Sequence, residues 1–159
     1  MSTRQVDRYP FDVRILFVCL GNICRSPMAE AILRHQLKEA GLGHIEVDSA
    51  GTGAWHAGEM ADPRPRRTLR SRGINYDGRA RQLRAEDFEV FDLILTMDTQ
   101  NLRDTLGWRE ARAEKVRRFL EHDVPDPYYD EAHGFERVYE MLDIGCQRLI
   151  AEITASEPS

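Results

Sequence analysis

A thiol and a guanidinium stand six positions apart in VCLGNICRSPMAEAIL, residues 18–33, where an apolar run gives way to helical periodicity. The loop Cys19-Leu20-Gly21-Asn22-Ile23-Cys24-Arg25 joins a strand end to a helix start. Backbone N–H groups at such a junction lack helical partners; turned inward, they cradle an anion, aided by the helix dipole. Gly21 and Asn22 are the types that tolerate the left-handed backbone such a loop needs. Arg25 adds a planar fork matched to two phosphate oxygens. The natural guest is a tetrahedral oxyanion. The same positive surroundings favour the thiolate of Cys19, the nucleophilic form. Ser26 can cap the helix or donate a hydrogen bond to that sulfur. A bare C-x5-R spacing says little; its place between a buried strand and an amphipathic helix, with Gly-Asn inside it, gives it weight.

A nucleophile that expels an ester oxygen needs an acid for the leaving group. A phenol, of pKa about 10, leaves much faster at neutral pH with a carboxylic acid beside its oxygen. Asp126, in VPDPYYD, is the foremost candidate. Pro125 and Pro127 stiffen its loop, and a residue before proline is held extended, so the carboxyl can be aimed. Asp123 and Asp130 compete by nearness in sequence.

These side chains must be positioned by the elements around them. Residues 13–19, VRILFVC, read as a central strand buried on both faces. From Ser26 the period turns helical through Ala29, Ile32, Leu33, Leu37 and Ala40, with Pro27 in the first turn and Gly41 as a stop. A second strand is expected over 44–49, then a loop AGTGAW and a helix over about 61–72 that Gly73 closes. A third strand is expected over 92–97, a helix over about 99–106, and a fourth strand over 116–120. Phe135, Val138, Tyr139, Leu142, Cys146, Leu149, Ile150 and Ile153 keep one helical face to the end. Strands alternating with helices imply an α/β three-layer sandwich: a parallel sheet with helices on both faces and ligands beyond the carboxyl ends of its strands.

The 159 residues, 42% apolar, suffice for one buried core, so a single domain over 1–159 is expected, its core about 12–154 with short polar tails. A net charge of -5 offers no general attraction to nucleic acid or anionic membrane. The arginine-rich stretch RPRRTLRSR, 64–72, reads as a solvated helix face, and the acidic remainder of the chain opposes polyanion binding. No apolar run is long enough for a bilayer, and residues 1–10 lack a signal-peptide core, so no membrane insertion and a cytoplasmic address are expected, with export by a route needing no signal peptide left open. Three cysteines without metal spacing argue for reduced thiols. Cys24 is either a small loop residue or the partner of Cys19 in a reversible disulfide that shields the nucleophile. Cys146 falls on the apolar face of the last helix and belongs to the core. His35, His44, His56, His122 and His133 lack metal-ligand spacing and read as helix-surface or loop residues.

Together these residues resemble the low-molecular-weight protein tyrosine phosphatase family. The likeness spans nearly the whole chain: VCLGNICRSPMAE for the phosphate loop, DSAGT at 48–52, ARQL at 80–83, FDLILTMD at 91–98 and DPYY at 126–129. It implies four parallel strands and no metal or organic cofactor. It implies Cys19 as nucleophile, Arg25 as phosphate clamp and Asp126 as general acid, acting through a phosphocysteine that water then hydrolyses. Substrate would be bound by the loop residues Leu20, Gly21, Asn22, Ile23, Cys24 and Ser26, with Trp55, Tyr128 and Tyr129 walling the pocket. Asn22, Ser26 and Ser49 would hold the loop by hydrogen bonds. The implied partners are phosphotyrosine-containing proteins, with inorganic phosphate as product and inhibitor, and the implied state is a monomer. Many members carry a histidine where this chain has Gly78, so that residue's role is not carried over.

Three other readings compete. Arsenate reductases on this fold relay oxidation through two further cysteines near mid-chain, but none lies between Cys24 and Cys146. Protein-arginine phosphatases typically place threonine at the position of Ile23 and lack the tyrosine pair after Asp-Pro. A non-catalytic phosphate-binding module would be expected to lack Cys19 or Asp126.

Overall fold

β1, Arg14–Cys19, is the strand on which the rest is built, and its composition explains why. Its side chains alternate between two apolar clusters: Ile15, Phe17 and Cys19 point into one, Leu16 and Val18 into the other. A strand apolar on both faces must sit inside a sheet covered on both sides. The computed structural model, which describes residues 9–127 and 132–155, places β1 beside β2 (Glu46–Gly51) and β3 (Leu93–Thr96), with β4 (Val116–Arg118) beyond β3. The four-stranded sheet runs in the order β2-β1-β3-β4, and every pairing is parallel.

Helices α1 (Arg25–Glu39), α2 (Pro63–Arg70) and α5 (Ala132–Thr154) pack together against one face. Met28, Ile32, Leu37, Leu69, Phe135, Leu142 and Leu149 fill the space between them and the sheet. The other face is covered by Leu83, by Phe88 of the one-turn helix α3 (Asp87–Val90), by Leu102 of α4 (Thr99–Leu106) and by Trp108. The α/β sandwich expected from the alternation of elements is thus present. The connections from β1 go outward in opposite directions, through α1 to β2 and onward to β3 on the other side, so the loop after β1 lies at the switch point where α/β sheets hold ligands.

Element boundaries differ from the sequence expectation by a few residues, each for a local reason. The second strand runs later than 44–49 because Gly51 still pairs with Cys19, and a Cβ there would lie 2.7 Å from the Leu20 carbonyl oxygen. The second helix begins at Pro63 because the Asp62 side chain caps it, accepting from the Arg64 amide. β4 stops at Arg118, ahead of the loop that carries Asp126, the acid loop. Helix α3 has no periodic signal; Asp87 starts it by accepting from the Arg84 amide at 2.9 Å.

Candidate active site

The loop after β1 is held by its carbonyl groups. The carbonyls of Cys19, Leu20 and Ile23 accept from the amides of Thr52, Gly53 and Asp62 at 2.9, 2.9 and 3.0 Å. With three carbonyls engaged outside the loop, its own amides are free to serve the interior, and that of Asn22 donates to Cys19 Sγ at 3.3 Å. This arrangement requires Asn22 at φ 60, among the left-handed conformations that asparagine tolerates better than most residues. Helix α1 then begins at Arg25, with no side-chain cap on its Cys24 N-cap, so its first-turn amides add to the positive end that faces the loop.

Behind the sulfur lies a polar chain whose donor directions can be worked out. Both hydrogens of Asn22 Nδ2 are committed, to Ser26 Oγ at 2.8 Å and Ser49 Oγ at 2.9 Å, while Asn22 Oδ1 accepts from the Arg81 amide at 2.9 Å. Ser26 Oγ therefore accepts from Asn22 and can turn its own hydrogen to Cys19 Sγ, 2.9 Å away. Of the two roles open to Ser26, the geometry brings it to the sulfur, not to the helix cap. Ser49 Oγ donates to Glu30 Oε1 at 2.6 Å, which ends the chain on a buried carboxylate.

Arg25 is buried at 3% exposure and fixed by residues that follow β3 and β4. Its Nη1 donates to Asp98 Oδ2 at 2.6 Å and to the Val124 carbonyl at 3.0 Å. Burial works against its charge, but the Cys19 sulfur and the Asp98 and Asp126 carboxylates outweigh it and hold the guanidinium above its ordinary value. Asp98 also caps α4, its Oδ1 accepting from the Asn101 amide at 2.7 Å. The acid loop is tied to the same sheet end. The Val124 amide donates to the Met97 carbonyl, and Asp123 Oδ1 accepts from the Thr99 amide and hydroxyl and from Arg118. Hydrogen bonds from Arg118 and Thr99 hold the Asp123 carboxyl below the usual range, which marks it as a brace for the loop. Asp126, the foremost acid in the sequence, stands with Oδ2 3.6 Å from Arg25 Nη2.

Cys19, Leu20, Gly21, Ile23, Cys24, Arg25, Trp55, His56 and Asp126 line one cavity of about 260 Å³. That is below the roughly 300–1,000 Å³ of pockets for drug-sized ligands, and suits a single modified side chain. Asn22, Ser26 and Ser49 do not line it; they stand behind the sulfur. Trp55 is 69% exposed at the mouth, and its ring lies over Gly53, where any Cβ would collide with it. Tyr128 and Tyr129, expected to wall the pocket, lie outside the described residues. Burial, then the charges of Asp62, Cys19 and Asp126, push the Cys24 thiol far up, so it stays protonated beside the reactive sulfur. Cys146 is fully buried against α1, as its helical position implied.

The sequence reading missed three participants. His56, read as a loop histidine, lines the cavity, its Nδ1 3.0 Å from Glu59 Oε1 and its Cδ2 3.0 Å from where a Gly21 Cβ would sit. Adjacency to Trp55 was the available signal. Asp98 sits just past a strand at a helix start, which is an N-cap signal and conceals its second bond to Arg25. Tyr76 reaches Glu30 Oε1 at 2.9 Å across the bare Cα of Gly78, and nothing in its local sequence announces it.

Comparison with known proteins agrees with this geometry. The family model for low molecular weight phosphotyrosine protein phosphatase matches residues 14–159. The chain is 45% identical over 152 residues to a low molecular weight protein-tyrosine-phosphatase of Streptomyces coelicolor, covering 88% of this chain and 93% of that one. A crystal structure of a protein tyrosine phosphatase from Entamoeba histolytica superposes with a TM-score of 0.84 at 37% identity, covering 89% of this chain and 96% of that one. A Drosophila arginine phosphatase superposes with a TM-score of 0.82 at 31% identity, covering 89% and 98%, so the backbone alone does not select the ester. With a cysteine, an arginine and an aspartate meeting in one cavity at the switch point, this chain belongs to the low molecular weight phosphotyrosine protein phosphatase family.

Proposed function

We propose that the protein hydrolyses phosphotyrosine in proteins, with Cys19 as nucleophile, Arg25 as phosphate clamp and Asp126 as general acid and base. The observation that carries this reading is the convergence on Cys19 Sγ of the Asn22 amide and Ser26 Oγ, in a cavity that also presents Arg25 and Asp126. The phosphoryl dianion, the main form at pH 7 since its second pKa is about 6, displaces Asp126 from the Arg25 fork, and Asp126 enters the reaction in its protonated form. Cys19 attacks phosphorus in line while the loop amides and Arg25 hold the equatorial oxygens, and Asp126 protonates the departing phenol oxygen. The S–P bond forms as the P–O bond breaks. Asp126, now ionised, takes a proton from water; the hydroxide attacks phosphorus, the S–P bond breaks, and phosphate leaves with the Cys19 thiolate restored.

Ile23 in the loop and the tyrosine pair after Asp-Pro support the phenol ester over a phosphoarginine. On this reading the chain acts as one domain and a monomer in the cytoplasm, and phosphate inhibits as product. Among the described residues no helix is long and apolar enough to cross a membrane. The test compares turnover of phosphotyrosine, phosphoserine and phosphoarginine peptides by the wild type and Cys19→Ser. Preference for phosphotyrosine that the substitution abolishes supports the reading. Preference for phosphoarginine, or unchanged turnover by Cys19→Ser, defeats it.

A further inference from the structure

Glu30 lies on α1 with 4% exposure, and neither it nor Tyr76 lines the cavity. A buried carboxylate persists only with its oxygens hydrogen-bonded. Three donors from three segments serve it. Ser49 of β2 and the Tyr76 hydroxyl donate to Oε1 at 2.6 and 2.9 Å, and Arg34, one turn along α1, donates to Oε2 at 2.5 Å. Ser49 is the same hydroxyl that accepts from Asn22 Nδ2, and Asn22 is the left-handed residue whose amide points at Cys19 Sγ.

Tyr76 reaches this hub because position 78 has no side chain. A Cβ on Gly78 would lie 2.6 Å from Tyr76 Cζ and closer still to the hydroxyl oxygen. Burial, followed by the charge of Glu30, pushes the Tyr76 hydroxyl up, so it remains a donor throughout the neutral range.

We propose that Tyr76, admitted by the absence of a side chain at Gly78, is a positioning residue of the phosphate loop: its hydroxyl fixes Glu30, Glu30 fixes Ser49, and Ser49 fixes Asn22. This rests on the functional reading above in taking the loop as the anion cradle. Without the hydroxyl, Glu30 Oε1 is left with Ser49 as its one remaining donor, too little to hold the carboxylate in place, so it turns toward Arg34 or draws in water. Ser49 then loses its fixed acceptor, and the Asn22 side chain that holds the strained backbone is no longer fixed. A cradle that must be ordered at the moment of binding holds phosphate and the transition state less well.

The test uses the full chain with Tyr76→Phe, which removes one oxygen, and Gly78→Ala, which displaces the hydroxyl from the opposite side. The readouts are kcat/KM on a phosphotyrosine peptide, the inhibition constant of inorganic phosphate, protection of Cys19 from iodoacetamide by phosphate, and the thermal midpoint. Both variants are expected to melt cooperatively, to lose about tenfold in kcat/KM, and to bind phosphate weaker by a similar factor, near the low end for one hydrogen bond to a charged group because the bond acts on the loop at second hand. Wild-type kcat/KM and phosphate affinity in Tyr76→Phe overturn the proposal. So does a lowered thermal midpoint with phosphate affinity unchanged, since Tyr76 would then be structural only. If the wild type does not turn over phosphotyrosine, the functional reading fails separately, and phosphate protection of Cys19 in wild type against Tyr76→Phe still decides the role of Tyr76.

Discussion

Asp98 joins two tasks on one carboxylate, and substitution can separate them. Its Oδ1 caps α4 through the Asn101 amide at 2.7 Å, and its Oδ2 anchors Arg25 Nη1 at 2.6 Å. Asp98→Ser keeps an oxygen at the N-cap but is too short to reach the guanidinium; Asp98→Ala loses both. A hydrogen bond to a charged group is worth about 1.5–3 kcal/mol, and breaking a fully buried ion pair from one side costs about 3–5 kcal/mol. Asp98 is 21% exposed and the Asp126 carboxylate stands 3.6 Å from Arg25 Nη2, so the lower range applies. Asp98→Ser is therefore expected to lower stability by about 2 kcal/mol, and Asp98→Ala by about 1 kcal/mol more for the lost cap. If the same anchor holds the fork in place for the transition state, about 2 kcal/mol corresponds to about 30-fold in kcat/KM, equal in both variants. Urea midpoints at constant m give the first pair of numbers, and peptide kinetics with phosphate inhibition give the second. The opposite electrostatic outcome is a real competitor, because removing a neutralising carboxylate leaves Arg25 with more charge for the substrate. A stably folded Asp98→Ser with unchanged or tighter phosphate binding and wild-type kcat/KM would refute the view that placement of the fork outweighs its charge.

Three further outcomes are expected. Asp126→Ala should cut turnover of a phosphotyrosine peptide by about 100-fold or more, but spare aryl phosphates with acidic phenols; equal losses would point to another acid. Oxidation of Cys19 by peroxide to the sulfenic acid removes one of the charges that hold the Cys24 thiol protonated; attack of the Cys24 sulfur with loss of water then gives a disulfide that a dithiol reverses, so Cys24→Ser should recover far less activity after peroxide and reductant than the wild type. Hydrogen bonds from Arg64 hold the Asp62 carboxyl below the usual range, a depressed folded-state value that stabilises above the unfolded aspartate value and is lost as pH falls through the folded one. Asp62→Ala should thus cost about 1 kcal/mol at pH 7, a difference that shrinks below about pH 4 in urea unfolding; a difference constant down to strong acid would argue against it.

What could be read from the sequence depended on how far apart the cooperating residues lie. Cys19, Arg25 and Ser26 sit within one strand-loop-helix unit, and their periodicities announce it. Asp126 was legible through its flanking prolines, which constrain a backbone locally. Arg25 and Asp98 are 73 positions apart, and Tyr76 and Glu30 are 46 apart; their contacts follow from the strand order β2-β1-β3-β4. Glu30 shows the cost most clearly. Four residues before Arg34 on a helix, it has the spacing of an exposed ion pair, worth a few tenths of a kcal/mol. Yet residues 25–33 of α1 are all buried, because this end of the helix lies under the phosphate loop and beside β2. The pair to Arg34 is therefore only one of three donor bonds to Glu30, and the other two come from segments that the local pattern does not connect to it. Helical spacing reports neighbours along one element. A buried carboxylate must be satisfied from every side that water cannot reach, so its partners are fixed by which elements the sheet brings next to it.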